Sequence, residues 1–134
     1  MVSPCITLNG NAADALDFYE SIFETSNKKV MRYSDAPPMP GFDMPPEQKD
    51  WIMHSEITIC GTVFNLSDTD QHFEPSHQIS LMIAVDSAEK VLDIYEKLSS
   101  GGKRLMEPES SFFAEMYGWV QDKFGISWQI MCHK

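Results

Sequence analysis

Leu16-Asp17-Phe18-Tyr19-Glu20 returns 76 residues later as Leu92-Asp93-Ile94-Tyr95-Glu96, with four of the five positions identical. Repetition at a fixed interval speaks to architecture before it speaks to any local element. With the interval held, Ala12 meets Ala88, Ala15 meets Val91, Ile22 meets Leu98, and Ile6-Thr7-Leu8 meets Met82-Ile83-Ala84 without a gap. Positions 12, 15, 16, 19, 22 and 23 are apolar or aromatic, as are 88, 91, 92, 95 and 98. That spacing is the one that lets a helix bury a single face. Asn11 is placed to cap the first helix, Asp86 with Glu89 forms a capping-box candidate for the second, and Gly101-Gly102 ends it.

Outside the helices the period falls to two. Ile57, Ile59, Phe64 and Leu66 alternate with Glu56, Thr58, Asn65 and Ser67 around Gly61-Thr62, which predicts a hairpin with one buried face. Ile79, Leu81, Ile83 and Val85 alternate with Ser80, Met82 and Ala84 ahead of the second helix. In a last strand over 126–132, Trp128 and Ile130 alternate with Gln129 and Met131. The chain therefore reads as an α+β domain of two β-α-β-β-β modules, about 1–75 and 76–134. One sheet face is apolar enough to bind the helices, and the other carries His54, Glu56, Thr58, Asn65, Ser67, Ser80 and Gln129. A semi-polar face on rigid strands suits a small molecule; an ordinary solvated sheet face is the competing reading. The first strand fits poorly, because in the gapless alignment Ile6 and Leu8 face the polar side. Five prolines between Ser34 and Asp50 exclude a regular element there, leaving a long loop that is a lid, a binding element or a disordered segment.

At 134 residues, 43% of them hydrophobic and 22% charged, the chain has the size and composition of one globular domain with its own core. Ten Lys and Arg against twenty Asp and Glu leave a net charge of −10, which opposes nucleic acid and anionic membrane surfaces as partners. Cys5, Cys60 and Cys132 lack the paired spacing of a zinc site or a secreted disulfide framework, and suit a reducing cytoplasm. The first ten residues do not read as an export signal, and no apolar run approaches the length of a membrane span.

Three blocks carry a resemblance. Asn9-Gly10-Asn11-Ala12 leading into Ala15-Leu16-Asp17-Phe18-Tyr19, then Met53-His54-Ser55-Glu56, then Tyr117-Gly118-Trp119-Val120-Gln121-Asp122-Lys123-Phe124-Gly125-Ile126-Ser127-Trp128, resemble the PhnB-like branch of the glyoxalase/bleomycin-resistance/dioxygenase (vicinal oxygen chelate) superfamily. The resemblance implies paired modules with curved mixed sheets forming a cup, helices packed on the outer faces, and commonly a homodimer. Metal-using members of the superfamily place one ligand on the first strand of each module and one on the last. Laid on this chain without gaps, that pattern falls on Pro4, Asn65, Ser80 and Gln129. None of the four suits a divalent transition ion, which wants imidazole or carboxylate, so neither metal nor other cofactor is expected. His54 and Glu56, joined by Asp68, are the donors that a relocated site would use.

Glu56 is the leading candidate for proton transfer, as a carboxylate on a rigid strand in a partly apolar cup. His54 orients it, binds ligand, or sits satisfied at a strand end. Trp119 and Phe112 line a pocket or fill core and dimer surface, Trp128 belongs to the core, and His72, His77 and His133 read as solvated loop residues. No Ser/His/Asp arrangement, nucleophile elbow or phosphate-binding glycine loop is present. Some relatives carry a ubiquinone-pathway methyltransferase label, yet a nucleotide-like methyl donor needs a glycine-rich strand-to-helix turn that this sequence lacks. The expected function is metal-independent binding of a small molecule in the cup, with His54 and Glu56 as catalytic candidates and Asn65, Ser67, Ser80, Trp119 and Gln129 as ligand-binding ones. The alternatives are a metalloenzyme of lyase, isomerase or dioxygenase type with displaced ligands, and a non-catalytic interaction module.

Overall fold

The computed structural model describes residues 1–37 and 45–134. The central part of the proline-rich stretch, 38–44, lies outside the described residues. On either side of it are two short 3-10 turns, Tyr33–Asp35 and Pro46–Gln48.

Two compact units divide the chain, Met1–Phe73 and Glu74–Lys134. The first runs β1 (Cys5–Leu8), α1 (Ala12–Ile22), β2 (Thr25–Arg32), β3 (Ile52–Ile59) and β4 (Thr62–Asp68). The second runs β5 (Leu81–Val85), α2 (Ala88–Ser99), β6 (Lys103–Glu109), β7 (Ala114–Gln121) and β8 (Ser127–His133). Their four-stranded sheets have matching orders, β1-β4-β3-β2 and β5-β8-β7-β6. In each, the strand before the helix pairs parallel with the last strand and all other pairs are antiparallel. This is the β-α-β-β-β module twice. β2 and β6 had no period-2 signature of their own, because as edge strands they bury little.

Tyr19 and Tyr95 stand at equivalent helix positions and both are fully buried. Ala12, Ala15, Leu16 and Tyr19 of α1, and Val91, Tyr95 and Leu98 of α2, face their own sheets. The first leucine of the motif differs in burial between the copies, Leu16 being buried and Leu92 41% exposed.

The helix starts depart from expectation. Asn11 occupies the N-cap position of α1 without a side-chain capping bond. The carboxylate of Asp68, at the end of β4, accepts from the N–H groups of Gly10 (2.9 Å) and Ala12 (3.0 Å) instead. α2 is capped by Ser87, whose Oγ accepts from Lys90 N, while Asp86 lies one residue outside and pairs with the Lys90 ammonium at 2.9 Å. Gly101, at φ +74°, follows the end of α2 as expected.

The hairpin joining β3 to β4 turns on Cys60-Gly61, one residue earlier than the predicted Gly61-Thr62. Both residues have positive φ (48° and 87°), the tight two-residue turn that matches strand twist. β5 is shorter than its alternation suggested. It begins at Leu81, and Ile79 is 83% exposed outside it.

A correction concerns β1. Ile6 and Leu8 pair with Leu66 and Asp68, are buried, and share the helix-facing side; Cys5 and Thr7 take the opposite face. Leu8 opposes Asp68 as Val85 opposes Cys132, so the strands match at an interval of 77 and not 76. The reason is local: three residues link β1 to α1 and two link β5 to α2. A one-residue difference reverses every side chain of a strand.

Candidate functional site

Alternation along the strands sends Phe64, Leu66 and Asp68 of β4, and Ser55, Ile57 and Ile59 of β3, toward α1. The opposite face of this sheet holds His54, Glu56, Thr58, Asn65, Ser67, Cys5 and Thr7. His54 Nε2 and Glu56 Oε1 are 3.5 Å apart, with side chains 55% and 42% exposed. Asn65 donates its amide N–H to Ser3 Oγ (3.2 Å) and stands opposite both Glu56 and Cys5 in the ladders.

One residue on this face escaped the sequence reading. Ser26 opposes Thr58 and Lys29 opposes Glu56, so β2 spends one extra residue there, and Asn27 takes the left-handed conformation at φ 53°. The bulge places Lys29 opposite Glu56 in the ladder. No alternation in β2 predicted it, since a bulge breaks the alternation by which it would be seen.

In the second unit Gly118 and Val120 of β7, and Trp128 and Ile130 of β8, face α2. Trp128 is core, as read from the sequence. Tyr117, Trp119, Gln121, Ser127, Gln129 and Met131 take the other face. Two hydrogen-bond chains run across it. The Tyr117 hydroxyl donates to Gln129 Oε1 at 2.6 Å. Trp119 Nε1 donates to Ser127 Oγ at 2.9 Å, and Ser127 Oγ and Ser80 Oγ share a bond of 2.6 Å. Burial raises the Tyr117 phenol above its usual range.

Ser80, Trp119 and Gln129 are thus brought to one wall, joined by Tyr117 and Ser127, which had not been singled out. His77 corrects another reading. It is half-buried with its ring edge-on to Trp119, 6.3 Å between centroids, and its Nδ1 is buried. Nothing local in Pro75-Ser76-His77 signals this, because the contact reaches across 42 positions of sequence. Phe112 is 91% exposed beside Phe113 at the β6–β7 connection.

Register makes the two walls comparable. Asn65 corresponds to Gln129, and their cross-strand partners Glu56 and Trp119 correspond, as do His54 and Tyr117 two residues earlier. One wall holds a carboxylate and an imidazole where the other holds an indole and a phenol.

The ligand positions of metal-using relatives do not fit an ion here. The corrected phase of β1 replaces Pro4 by Ser3, whose hydroxyl takes the Asn65 amide. Gln129 Oε1 is occupied by Tyr117 and the Ser80 hydroxyl by Ser127. Neutral amides and hydroxyls supply no compensating charge. Asp68 is not a third donor beside His54 and Glu56. It is 3% exposed on the helix side, and its oxygens take the N–H groups of Gly10, Ala12 and Ile52. Among the described residues no group of three or more His, Cys, Asp and Glu is placed to hold a metal ion.

The closing sequence block has a structural explanation. Asp122, fully buried, accepts from Phe124 N and Ile126 N on Oδ1 and from the Trp128 indole on Oδ2. One carboxylate thereby builds the β7–β8 turn and anchors the core indole.

Comparison with known proteins agrees with this architecture. The family model described as 3-demethylubiquinone-9 3-methyltransferase matches residues 1–131. Protein YjdN of Escherichia coli is 24% identical, covering 96% of this chain and 92% of that protein. The solved PhnB protein from Bacillus cereus is 26% identical with a TM-score of 0.81, covering 98% of each chain. A glyoxylase/bleomycin resistance protein/dioxygenase domain from Frankia shares the fold at 12% identity, with a TM-score of 0.65 over 100% of this chain and 97% of that one. The chain belongs to the family described as 3-demethylubiquinone-9 3-methyltransferase, and it has the fold of the glyoxylase/bleomycin resistance protein/dioxygenase domain.

Proposed function

We propose that this protein binds a small molecule on the sheet faces turned away from its helices, without a metal at the positions metal-using relatives employ. The observation that carries the reading is the second unit's wall, where two hydrogen-bond chains, Trp119–Ser127–Ser80 and Tyr117–Gln129, fix side chains on one sheet face. A solvated sheet face has no need of such a network, whereas a binding wall must hold its polar groups in fixed directions.

In the first unit Glu56 is the proton-transfer candidate, with His54 beside it and Lys29 opposite. Asn65 and Ser67 complete that wall. The methyl transfer in the family's description finds little support at the first strand-to-helix turn, since the Gly10 and Ala12 amides that would meet a donor's anionic groups are spent on Asp68. The three cysteines, none in a disulfide, favour a reducing compartment such as the cytoplasm. No helix among the described residues is long and apolar enough to cross a membrane. The exposed Phe112 and Phe113 favour a homodimer, for which light scattering at micromolar concentration should return twice 15.2 kDa.

The deciding test is a thermal-shift screen of neutral and ionised small organic molecules, with hits confirmed by quenching of tryptophan fluorescence in wild type and in Trp119→Phe. Loss of the signal in the variant supports the reading. Elemental analysis of protein purified without chelator is its counterpart. Stoichiometric zinc, iron, nickel or manganese that disappears in His54→Ala or Glu56→Ala would replace it with a metalloenzyme. The interaction-module reading wins when neither experiment gives a signal.

A further inference from the structure

The hydrogen bonds across the second unit's wall have a direction, and the direction selects a ligand. The Trp119 indole N–H can only donate, so Ser127 Oγ receives it. Ser127 is 3% exposed, and within its bonded chain Ser80 Oγ is the acceptor its own hydrogen can reach. If Ser80 were the donor, Ser127 would accept twice and leave a buried hydroxyl hydrogen without an acceptor, which is costly. The chain therefore runs from Trp119 to Ser127 to Ser80, and the half-buried Ser80 presents its O–H outward. Each link polarises the next, so this terminal donor is stronger than an isolated serine.

The second chain ends the same way. Tyr117 donates to Gln129 Oε1, which leaves the two Gln129 amide N–H groups as the outward face of that side chain. Ser80 precedes β5 beside Ser127, and Gln129 stands opposite Met82, so the two donors belong to neighbouring chain segments whose backbone positions are offset by two residues, roughly 7 Å in the strand direction.

Between and beside them the wall is apolar and aromatic. Met82, 52% exposed, opposes Gln129, and Met131 and the Trp119 ring adjoin them. No charged side chain lies on this face of β5, of β7 from Tyr117 to Gln121, or of β8 from Ser127 to Met131. The charged residues opposite, Lys103 and Glu109, stand at the two ends of the edge strand β6. In a chain carrying a net charge of −10, such a stretch is a selective feature.

Resting on the binding reading above, we propose that the second unit's wall takes an uncharged molecule of about ring size, bearing hydrogen-bond-accepting oxygens toward both ends. Those oxygens accept from Ser80 Oγ–H and Gln129 Nε2–H, and the body of the molecule lies on Trp119 and Met82. Among the described residues, apart from His77, edge-on to Trp119, and Lys103 at the end of β6, no basic group faces this stretch to hold an anion. A hydrocarbon leaves both donors unpaired and forfeits the hydrogen bonds that orient the ligand.

Three probes of one shape test this: 1,4-diacetylbenzene, the terephthalate dianion, and 1,4-diethylbenzene, each titrated into the full chain while Trp119 emission is followed, with Trp119→Phe as the control. Diacetylbenzene should bind at least about tenfold more tightly than either of the others, the worth of roughly one well-made hydrogen bond. Gln129→Leu and Ser80→Ala should each reduce that preference without altering the circular dichroism spectrum. Equal or tighter binding of terephthalate overturns the uncharged class, and equal binding of diethylbenzene overturns the donor argument. Binding of none of the three at millimolar concentration also overturns the proposal. The general binding reading then survives if the wider screen yields a ligand whose signal is lost in Trp119→Phe, and falls with it if the screen is empty.

Discussion

A Cβ added to Gly118 would stand 2.8 Å from Cδ2 of Tyr95. The second copy of the repeated helix tyrosine thus lies directly on the backbone of β7, closer than any side chain at that position permits. The single Tyr95 hydroxyl hydrogen is shared between the carbonyls of Met106 (2.9 Å) and Trp119 (3.1 Å), linking α2 to β6 and β7. In the first unit the position matching Gly118 is Ser55, fully buried, whose hydroxyl donates to the Leu66 carbonyl at 2.6 Å.

Gly118→Ala should therefore destabilise the fold by about 1–3 kcal/mol, as overpacking of a rigid core position does. Urea unfolding with an unchanged slope would measure it. Tyr95→Phe should cost about 1 kcal/mol through the two carbonyls it deserts. A neutral Gly118→Ala would show that α2 rides higher on the sheet than described.

The buried Asp68 carboxylate should tolerate amidation better than deletion. In Asp68→Asn one oxygen can still serve Gly10 and Ala12, and the lost bond is the one from Ile52 N. We expect a loss of about 1–2 kcal/mol for Asp68→Asn and roughly twice that for Asp68→Ala, which orphans all three donors. Metal content should be the same in both variants and wild type, because the residue acts as a helix cap.

Asp122 and Trp128 should prove energetically coupled. A double-mutant cycle of Asp122→Asn with Trp128→Phe should return an interaction of about 1–2 kcal/mol, the value of a buried charge-assisted hydrogen bond. Additive losses would mean that the carboxylate serves the turn alone.

The Tyr117 phenol holds its proton more tightly in the folded chain than in the unfolded one, because burial disfavours the phenolate. Its contribution to stability is then complete below the ordinary tyrosine value near 10 and is lost as pH rises through the higher folded value. Ultraviolet titration at 295 nm of wild type against Tyr117→Phe should assign a late-titrating phenol to this residue. Alkaline unfolding should begin earlier in wild type than in the variant once pH exceeds about 10.

The sequence by itself determined the duplicated module, the two amphipathic helices, the β3–β4 hairpin, the core place of Trp128 and, in each unit, a sheet face turned from the helix, bearing Glu56 and Asn65 in the first and Gln129 in the second. These are written in periods of 3.6 and 2, which depend only on neighbours along the chain. The phase of β1 was decided by the tertiary structure, since a linker one residue longer turns Ile6 and Leu8 toward the helix and periodicity carries no record of where a helix starts relative to a strand. The same is true of Asp68 capping α1, of Lys29 facing Glu56 across a bulge, and of His77 against Trp119. Each joins groups far apart in sequence, and a hydrogen bond or ring contact between distant residues exists only once the strands have chosen their register.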